Sequence, residues 1–75
     1  MITYEEAKKI ALKYKSDVDQ CEEFEDAYIF SNKKKERGTA FGFSHIVILK
    51  ENGNAISMAS YNIMPKTRNL GWHEF

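Results

Sequence analysis

The sequence has a single cysteine, a single proline and only four glycines among its 75 residues. Cys21 alone cannot form an internal disulfide, so the fold has to be stable without covalent cross-links, as is typical of a reducing compartment. No stretch approaches the run of about 20 apolar residues that a membrane-spanning helix requires. The first residues also lack the basic and apolar segments of a secretory signal. We therefore expect a cytoplasmic protein with no membrane partner.

The chain has no excess of charge of either sign, because eleven basic and eleven acidic residues cancel. Proteins that bind nucleic acid usually carry a basic excess, since phosphate neutralisation provides much of their affinity. Glycine-rich phosphate loops and paired clusters of metal ligands are missing from the sequence as well. We therefore predict no nucleic-acid partner, no metal and no cofactor.

The N-terminal segment has the features of an amphipathic helix. Thr3 and Glu6 have the spacing of a capping box, in which each side chain bonds to the backbone of the other residue. An apolar stripe follows at helical spacing, formed by Ala7, Ile10, Ala11 and Tyr14. The pattern predicts a helix over residues 4–15.

Asn52-Gly53 separates two β-rich runs, and this dipeptide is typical of a two-residue hairpin turn. The pattern predicts strands over residues 43–50 and 54–61. The register of such a hairpin places four apolar side chains on one face, Leu49 opposite Ile56 and Val47 opposite Met58. We expect the helix to pack on this face.

The opposite hairpin face carries Ile46 and Ile48, which also need cover. The tail over residues 62–75 has several large apolar side chains, namely Ile63, Met64, Leu70, Trp72 and Phe75. We expect this tail to fold across Ile46 and Ile48. The alternative is that it presents Trp72 and Phe75 to a partner.

A short aromatic run predicts a further strand over residues 26–32. An acidic connection over residues 16–25 precedes it, and a basic connection that ends at Gly38 follows it. The whole pattern predicts a single α+β domain over residues 1–75. Its fold class is one N-terminal helix packed on a three- to four-stranded antiparallel sheet.

Catalytic candidates are few. Cys21 lies beside Glu22 and Glu23, and negative neighbours raise the pKa of a thiol and weaken it as a nucleophile. His45 opens the central strand, with Ser60 expected across from it. We interpret Cys21 and His45 as structural and predict that the protein is not an enzyme. The alternative is a small hydrolase or ligand-binding domain that uses both residues.

Three stretches carry a family resemblance. The first is the helical pattern from Tyr4-Glu5-Glu6-Ala7 to Tyr14, and the second is the acidic lead into Ala27-Tyr28-Ile29-Phe30. The third is Ile46-Val47-Ile48-Leu49-Lys50 with its Asn-Gly turn. Together they resemble the bacterial immunity protein 35 family, small proteins encoded beside polymorphic toxins. The resemblance covers roughly residues 1–60 and implies an inhibitor that binds a toxin from the same locus.

We predict a small protein-binding module, with toxin immunity by occlusion as its specific form. Aromatic and basic side chains dominate many protein contacts, and the candidate anchors are Lys34, Arg37, Trp72, His73 and Phe75. One alternative is a phage- or plasmid-borne inhibitor of a host protein. Another is a self-associating module, a homodimer formed through Ile46, Ile48 and Tyr61.

Overall fold

A computed structural model of the chain describes residues 1–32 and 45–75. The elements in chain order are α1 (Tyr4–Tyr14), β1 (Gln20–Phe24), β2 (Ala27–Ser31), β3 (Ile46–Leu49), β4 (Ala55–Ile56), α2 (Met58–Asn62) and β5 (Asn69–Glu74). The strands form one antiparallel sheet in the order β4-β3-β2-β1-β5. Within the described ranges, neither helix is long and apolar enough to cross a membrane.

The α+β class with an N-terminal helix on an antiparallel sheet is confirmed, but the described residues alone form five strands instead of the predicted three to four. The two segments expected to be a connection and a tail, 16–25 and 62–75, each contribute a strand. The acidic residues of the first segment pair with residues of the second across β1 and β5, and a pairing between such distant positions cannot be predicted from a local sequence pattern. The central strand expected over 43–50 spans Ile46–Leu49, and residues 43 and 44 lie outside the described ranges.

Helix α1 begins with the predicted capping box. The Thr3 hydroxyl accepts from the Glu6 backbone N–H at 3.3 Å, and Glu6 Oε1 accepts from the Thr3 N–H at 3.1 Å. Ala7 and Ala11 are fully buried, whereas Tyr14 is 67% exposed, so its assignment to the buried stripe was wrong. The helix ends at Tyr14, and the chain then turns to place Val18 in the core.

The face of the sheet beneath α1 holds the larger core, which we call the helix-face core. Its buried members are Ala7, Ala11, Val18, Cys21, Tyr28, Phe30, Ile46 and Ile48. The prediction that α1 packs on Val47 and Leu49 is therefore wrong, because α1 covers the Ile46 and Ile48 side. Cross-strand pairing explains this, since Phe30 lies opposite Ile46 and Tyr28 opposite Ile48.

The other face is covered by α2 and the segment after it. Ala27, Ile29, Val47 and Tyr61 are buried there, and Met58 and Met64 pack against them. The strand predicted over 54–61 ends at Ile56, because Ser57 caps α2 by accepting from the Ser60 N–H at 3.1 Å. Of the tail over residues 62–75, Met64 packs on this face, whereas Ile46 and Ile48 lie in the core beneath α1. The surface suggested for a homodimer is buried, since Ile46, Ile48 and Tyr61 are each at most 7% exposed.

The β3–β4 hairpin is shifted by two residues from the predicted register. Val47 lies opposite Ile56, whereas Leu49 was expected there. The Leu49 N–H donates to the Asn54 carbonyl at 2.9 Å, so the connection comprises residues 50–53, with Gly53 at a φ of +75°. Lys50 does not continue the pairing of β3 with β4, because its backbone N–H donates to the Asp26 carbonyl and its carbonyl accepts from the Ile2 N–H. A shift of two residues keeps every side chain on its predicted face.

Candidate functional site

Strand β5 is the element that carries the predicted contact residues. It pairs with β1 so that Trp72 lies opposite Glu22 and His73 opposite Cys21. Because neighbouring residues of a strand point to opposite faces, His73 lies on the helix face and Trp72 on the other face. Sequence analysis named both residues for one contact surface, but the structure separates them.

On the helix face, each carboxylate oxygen of Glu23 contacts a nitrogen from a different side chain. Lys50 Nζ lies 2.7 Å from Oε2, and His73 Nε2 lies 2.9 Å from Oε1. Aromatic rings enclose this group, since the His73 ring stacks on Tyr4 at 4.1 Å and Lys50 Nζ lies 4.8 Å from the centre of the Tyr28 ring. We call these five residues the Glu23 cluster. The cluster joins α1, β1, β2, β5 and the residue that follows β3.

The charges of the Glu23 cluster follow from these contacts. The hydrogen bond from Lys50, then that from His73, lowers the pKa of Glu23, so the carboxylate is ionised at neutral pH. Burial is the largest cause that raises the pKa of Tyr4 and of Tyr28, so both phenols stay neutral. Both carboxylate oxygens are engaged. The group is therefore suited to hold β5 in place rather than to accept a substrate proton.

Cys21 is fully buried beneath α1. Burial, followed by the charges of Glu23 and Glu22, raises the pKa of its thiol to about 12. The predicted direction of the shift is confirmed, but its largest cause is burial, which the sequence did not reveal. The structure does not bring Cys21 and His45 together, because β2 lies between β1 and the strand that His45 precedes. The histidine that lies directly across from Cys21 is His73.

The predicted contact residues occupy different environments. Trp72 is 55% exposed, whereas His73 is held in the Glu23 cluster. Phe75 is 38% exposed, with its ring centre 6.0 Å from that of Phe30. Lys34 and Arg37 lie outside the described residues, so their role stays a prediction.

The side of β5 opposite α1 presents an exposed tryptophan bordered by carboxylates. Glu22 lies across from Trp72, and Glu74 follows two residues later on the same side. Leu70, which is 49% exposed, is the extra residue at a register shift between β5 and β1. We call Glu22, Trp72 and Glu74 the Trp72 surface. Among the described strands, none pairs with the outer edge of β5.

A second polar group fixes the segment that leads into β5. The Tyr61 hydroxyl donates to Asp26 Oδ1 at 2.7 Å, and the Thr67 hydroxyl donates to the same oxygen at 2.8 Å. The Glu25 backbone N–H donates to the Arg68 carbonyl at 3.1 Å. These bonds anchor β5 at its start, and the bond from the Phe75 N–H to the Asp19 carbonyl anchors it at its end.

Neither of these polar groups was found from the sequence. Glu23 looks like one member of a solvated acidic run, and Lys50 looks like an ordinary turn residue. Lys50 is in fact only 5% exposed, and its partners lie far away in the chain. Only the strand pairing identifies them.

One cavity and the arrangement of the titratable side chains bear on small-ligand binding in the part of the chain that the structure describes. No group of three or more His, Cys, Asp or Glu side chains there is arranged to hold a metal ion. A cavity of about 210 Å³ lies beside Lys50, with Asp26, Leu49 and Met64 among its lining residues. This volume is below the roughly 300 Å³ at which ligand pockets usually begin.

Comparison of the chain with models of known protein families, with curated proteins and with solved structures finds no match.

Proposed function

We propose that the chain is a small protein-binding module that docks on its partner through the Trp72 surface. The observation that carries the proposal is the position of Trp72, which is 55% exposed on a strand fixed at both ends. Tryptophan is among the residue types most often found as binding anchors.

The free energy available from Trp72 is sufficient for an anchor. A tryptophan side chain offers up to about 250 Å² of contact area. Burying the exposed half, roughly 100 Å², at about 25 cal/mol per Å² gives about 2–3 kcal/mol. This value is in the range of the residues that dominate measured interfaces.

The contacts behind the surface favour a preformed site. The other face of β5 is held by His73 in the Glu23 cluster, and β1 supports the strand along its inner edge. A rigid anchor loses little conformational entropy on binding. A partner could therefore bind with few rearrangements of the chain.

Docking of side chains is favoured over addition of a partner strand. The irregularity at Leu70 and Gly71, whose φ is +137°, interrupts the regular ladder near the start of β5. Bulges of this kind protect sheet edges against pairing with other chains. The regular part that remains, Trp72–Glu74, is short.

The specific form that we favour is inhibition of a toxin by occlusion. Its support is the resemblance of residues 1–60 to the immunity protein 35 family. Lys34 and Arg37 stay the predicted basic anchors of this form, and Phe75 lies on the other face of the sheet from Trp72, beside Phe30. In this form, the partner is a toxin whose activity falls when it binds one equivalent of the chain.

The experiment compares three immobilised baits, namely the wild type, Trp72→Ala and Tyr14→Ala, in a lysate of the source cell. Tyr14 is the matched control, because it is an aromatic residue that is 67% exposed on α1. Circular dichroism first establishes that all three baits are folded. The retained protein is then purified, and its affinity for each bait is measured by calorimetry.

We expect the wild type and Tyr14→Ala to bind the purified protein equally and Trp72→Ala to bind at least about 30-fold more weakly. Equal binding by Trp72→Ala, or no stoichiometric partner for any bait, would overturn the proposal. Expression of the partner alone, without the chain, tests whether the partner is a toxin that the chain inhibits. Growth arrest that is relieved by the wild-type chain but not by Trp72→Ala would support toxin inhibition, and a partner without toxicity would overturn that form.

A further inference from the structure

We infer that the partner segment that docks on the Trp72 surface is basic and offers arginine to Trp72. This inference rests on the proposed function and adds the chemistry of the partner. It is carried by the carboxylates that strand pairing places around the indole ring.

The first step is the position of these carboxylates. Glu22 is the direct cross-strand neighbour of Trp72, and such neighbours have Cβ atoms about 5 Å apart. Glu74 follows Trp72 by two residues on the same side of β5, about 7 Å along the strand. An arginine side chain that lies on the indole ring can therefore reach either carboxylate.

The second step is how Glu22 is held. The Asn69 side-chain amide donates to Glu22 Oε2 at 2.6 Å. A neutral amide orients the carboxylate without cancelling its charge, so an incoming cation would meet an acceptor in a defined position. Lys8 and Lys50 do not neutralise Glu22, because they lie on the helix face, where Lys8 contacts the Phe75 ring and Lys50 contacts the Tyr28 ring.

The third step is the match between this surface and arginine. A guanidinium group stacks on the face of a tryptophan ring and also binds a carboxylate through two parallel hydrogen bonds. An acidic segment would be repelled, and a wholly apolar segment would remove the Glu22 charge from water without supplying a cation. A basic segment supplies a cation both to the ring and to the Glu22 carboxylate.

Trp72 is the single tryptophan of the chain, so its fluorescence reports on this surface directly. The probes are two synthetic peptides of equal length, one alternating Gly and Arg and the other alternating Gly and Glu. Each is titrated into the wild type, Glu22→Gln, Glu74→Gln and Glu51→Gln. Glu51 is the control because it is an exposed carboxylate in the β3–β4 connection, away from β5.

We expect a saturable change in Trp72 emission with the arginine peptide and none with the glutamate peptide. Glu22→Gln and Glu74→Gln should each weaken binding about two- to fivefold, and Glu51→Gln should leave it unchanged. Added salt should weaken binding as well. No response to the arginine peptide, or an equal loss in Glu51→Gln, would overturn the inference.

The two proposals fail in distinguishable ways. Capture that depends on Trp72 without any response to the arginine peptide keeps the binding module and overturns its basic partner. Loss of Trp72-dependent capture removes the proposed function itself. A mass that rises with protein concentration in light scattering, and falls in Glu22→Gln, would make a second copy of the chain the occupant and would also overturn the inference.

Discussion

Nε2 of His73 lies 2.9 Å from Oε1 of Glu23, although the two residues are 50 positions apart in the chain. This contact ties β5 to β1 on the face that α1 covers. Trp72, the next residue back along β5, is thereby held with its ring on the opposite face. The exposed tryptophan and the partly buried histidine are therefore neighbours in sequence.

Glu23 should contribute stability that depends on pH. Glu23→Gln should lower the free energy of unfolding by about 2–4 kcal/mol at neutral pH, because it leaves the Lys50 ammonium, only 6% exposed, without its anion. Urea denaturation followed by circular dichroism measures this difference. Glu51→Gln is the control, and as an exposed carboxylate it should change stability by less than about 0.5 kcal/mol.

The sign of the pH dependence follows from the lowered pKa of Glu23 in the folded state. The stabilisation is present in full above the ordinary carboxyl value of 4.5 and is lost as the pH falls through the lowered value. The difference between wild type and Glu23→Gln should therefore shrink in acid. A difference that stays constant down to about pH 2 would contradict the ion-pair assignment.

Cys21 should be unreactive in the folded protein. Its thiol is fully buried, and its pKa is raised from 9.0 to about 12, so little thiolate forms near neutral pH. A thiol reagent should label the native chain at least about 10³-fold more slowly than the chain in denaturant. Mass spectrometry after timed quenching measures both rates. Rapid labelling of the native protein would contradict the burial of Cys21.

Ile48 and Ile63 provide a matched pair of isoleucines, one buried and one exposed, whose truncation tests the assignment of the core. Ile48 is completely buried in the helix-face core, whereas Ile63 is 87% exposed. Ile48→Ala should cost about 2–5 kcal/mol of stability, and Ile63→Ala should cost less than about 0.5 kcal/mol. Chemical denaturation compares them directly. Similar losses in the two variants would contradict the burial of Ile48 in the core.

Tyr61 should stabilise the fold through its hydroxyl as well as its ring. Tyr61→Phe removes the 2.7 Å bond to Asp26 and keeps the ring near Phe24, so we expect a loss of about 1 kcal/mol. Tyr14→Phe, on the exposed face of α1, should leave stability unchanged. Thermal unfolding of both variants is the measurement. An unchanged transition in Tyr61→Phe would indicate that the bond has no net effect on stability.

Local chemistry explains why α1 and two of the strands were predicted. The capping box of Thr3 and Glu6 and the apolar runs of β2 and β3 depend on residues close together in the chain. The helix face could not be chosen in this way. Val47 and Ile48 are neighbours on opposite faces of β3, and both are completely buried.

Long-range pairing explains what the sequence did not reveal. The strand β1 reads as an acidic connection, and its glutamates are accommodated only because Lys50, His73 and Asn69 supply partners from distant positions. The same pairing decides the site. Trp72 and His73 were predicted to share one contact surface, but the register with β1 places Trp72 on the face away from α1 and His73 in the Glu23 cluster.

The sheet order has a consequence for how the chain folds. Strands β1 to β4 are neighbours in the sheet in the same order as in the chain, whereas β5 returns to pair with β1. The first four strands can therefore associate while the outer edge of β1 is still open, and the closing contact between Glu23 and His73 spans 50 positions and forms late. Charged residues on an open edge discourage pairing with other chains. We therefore expect Glu22 and Glu23 to discourage aggregation of the unfinished sheet before β5 covers it.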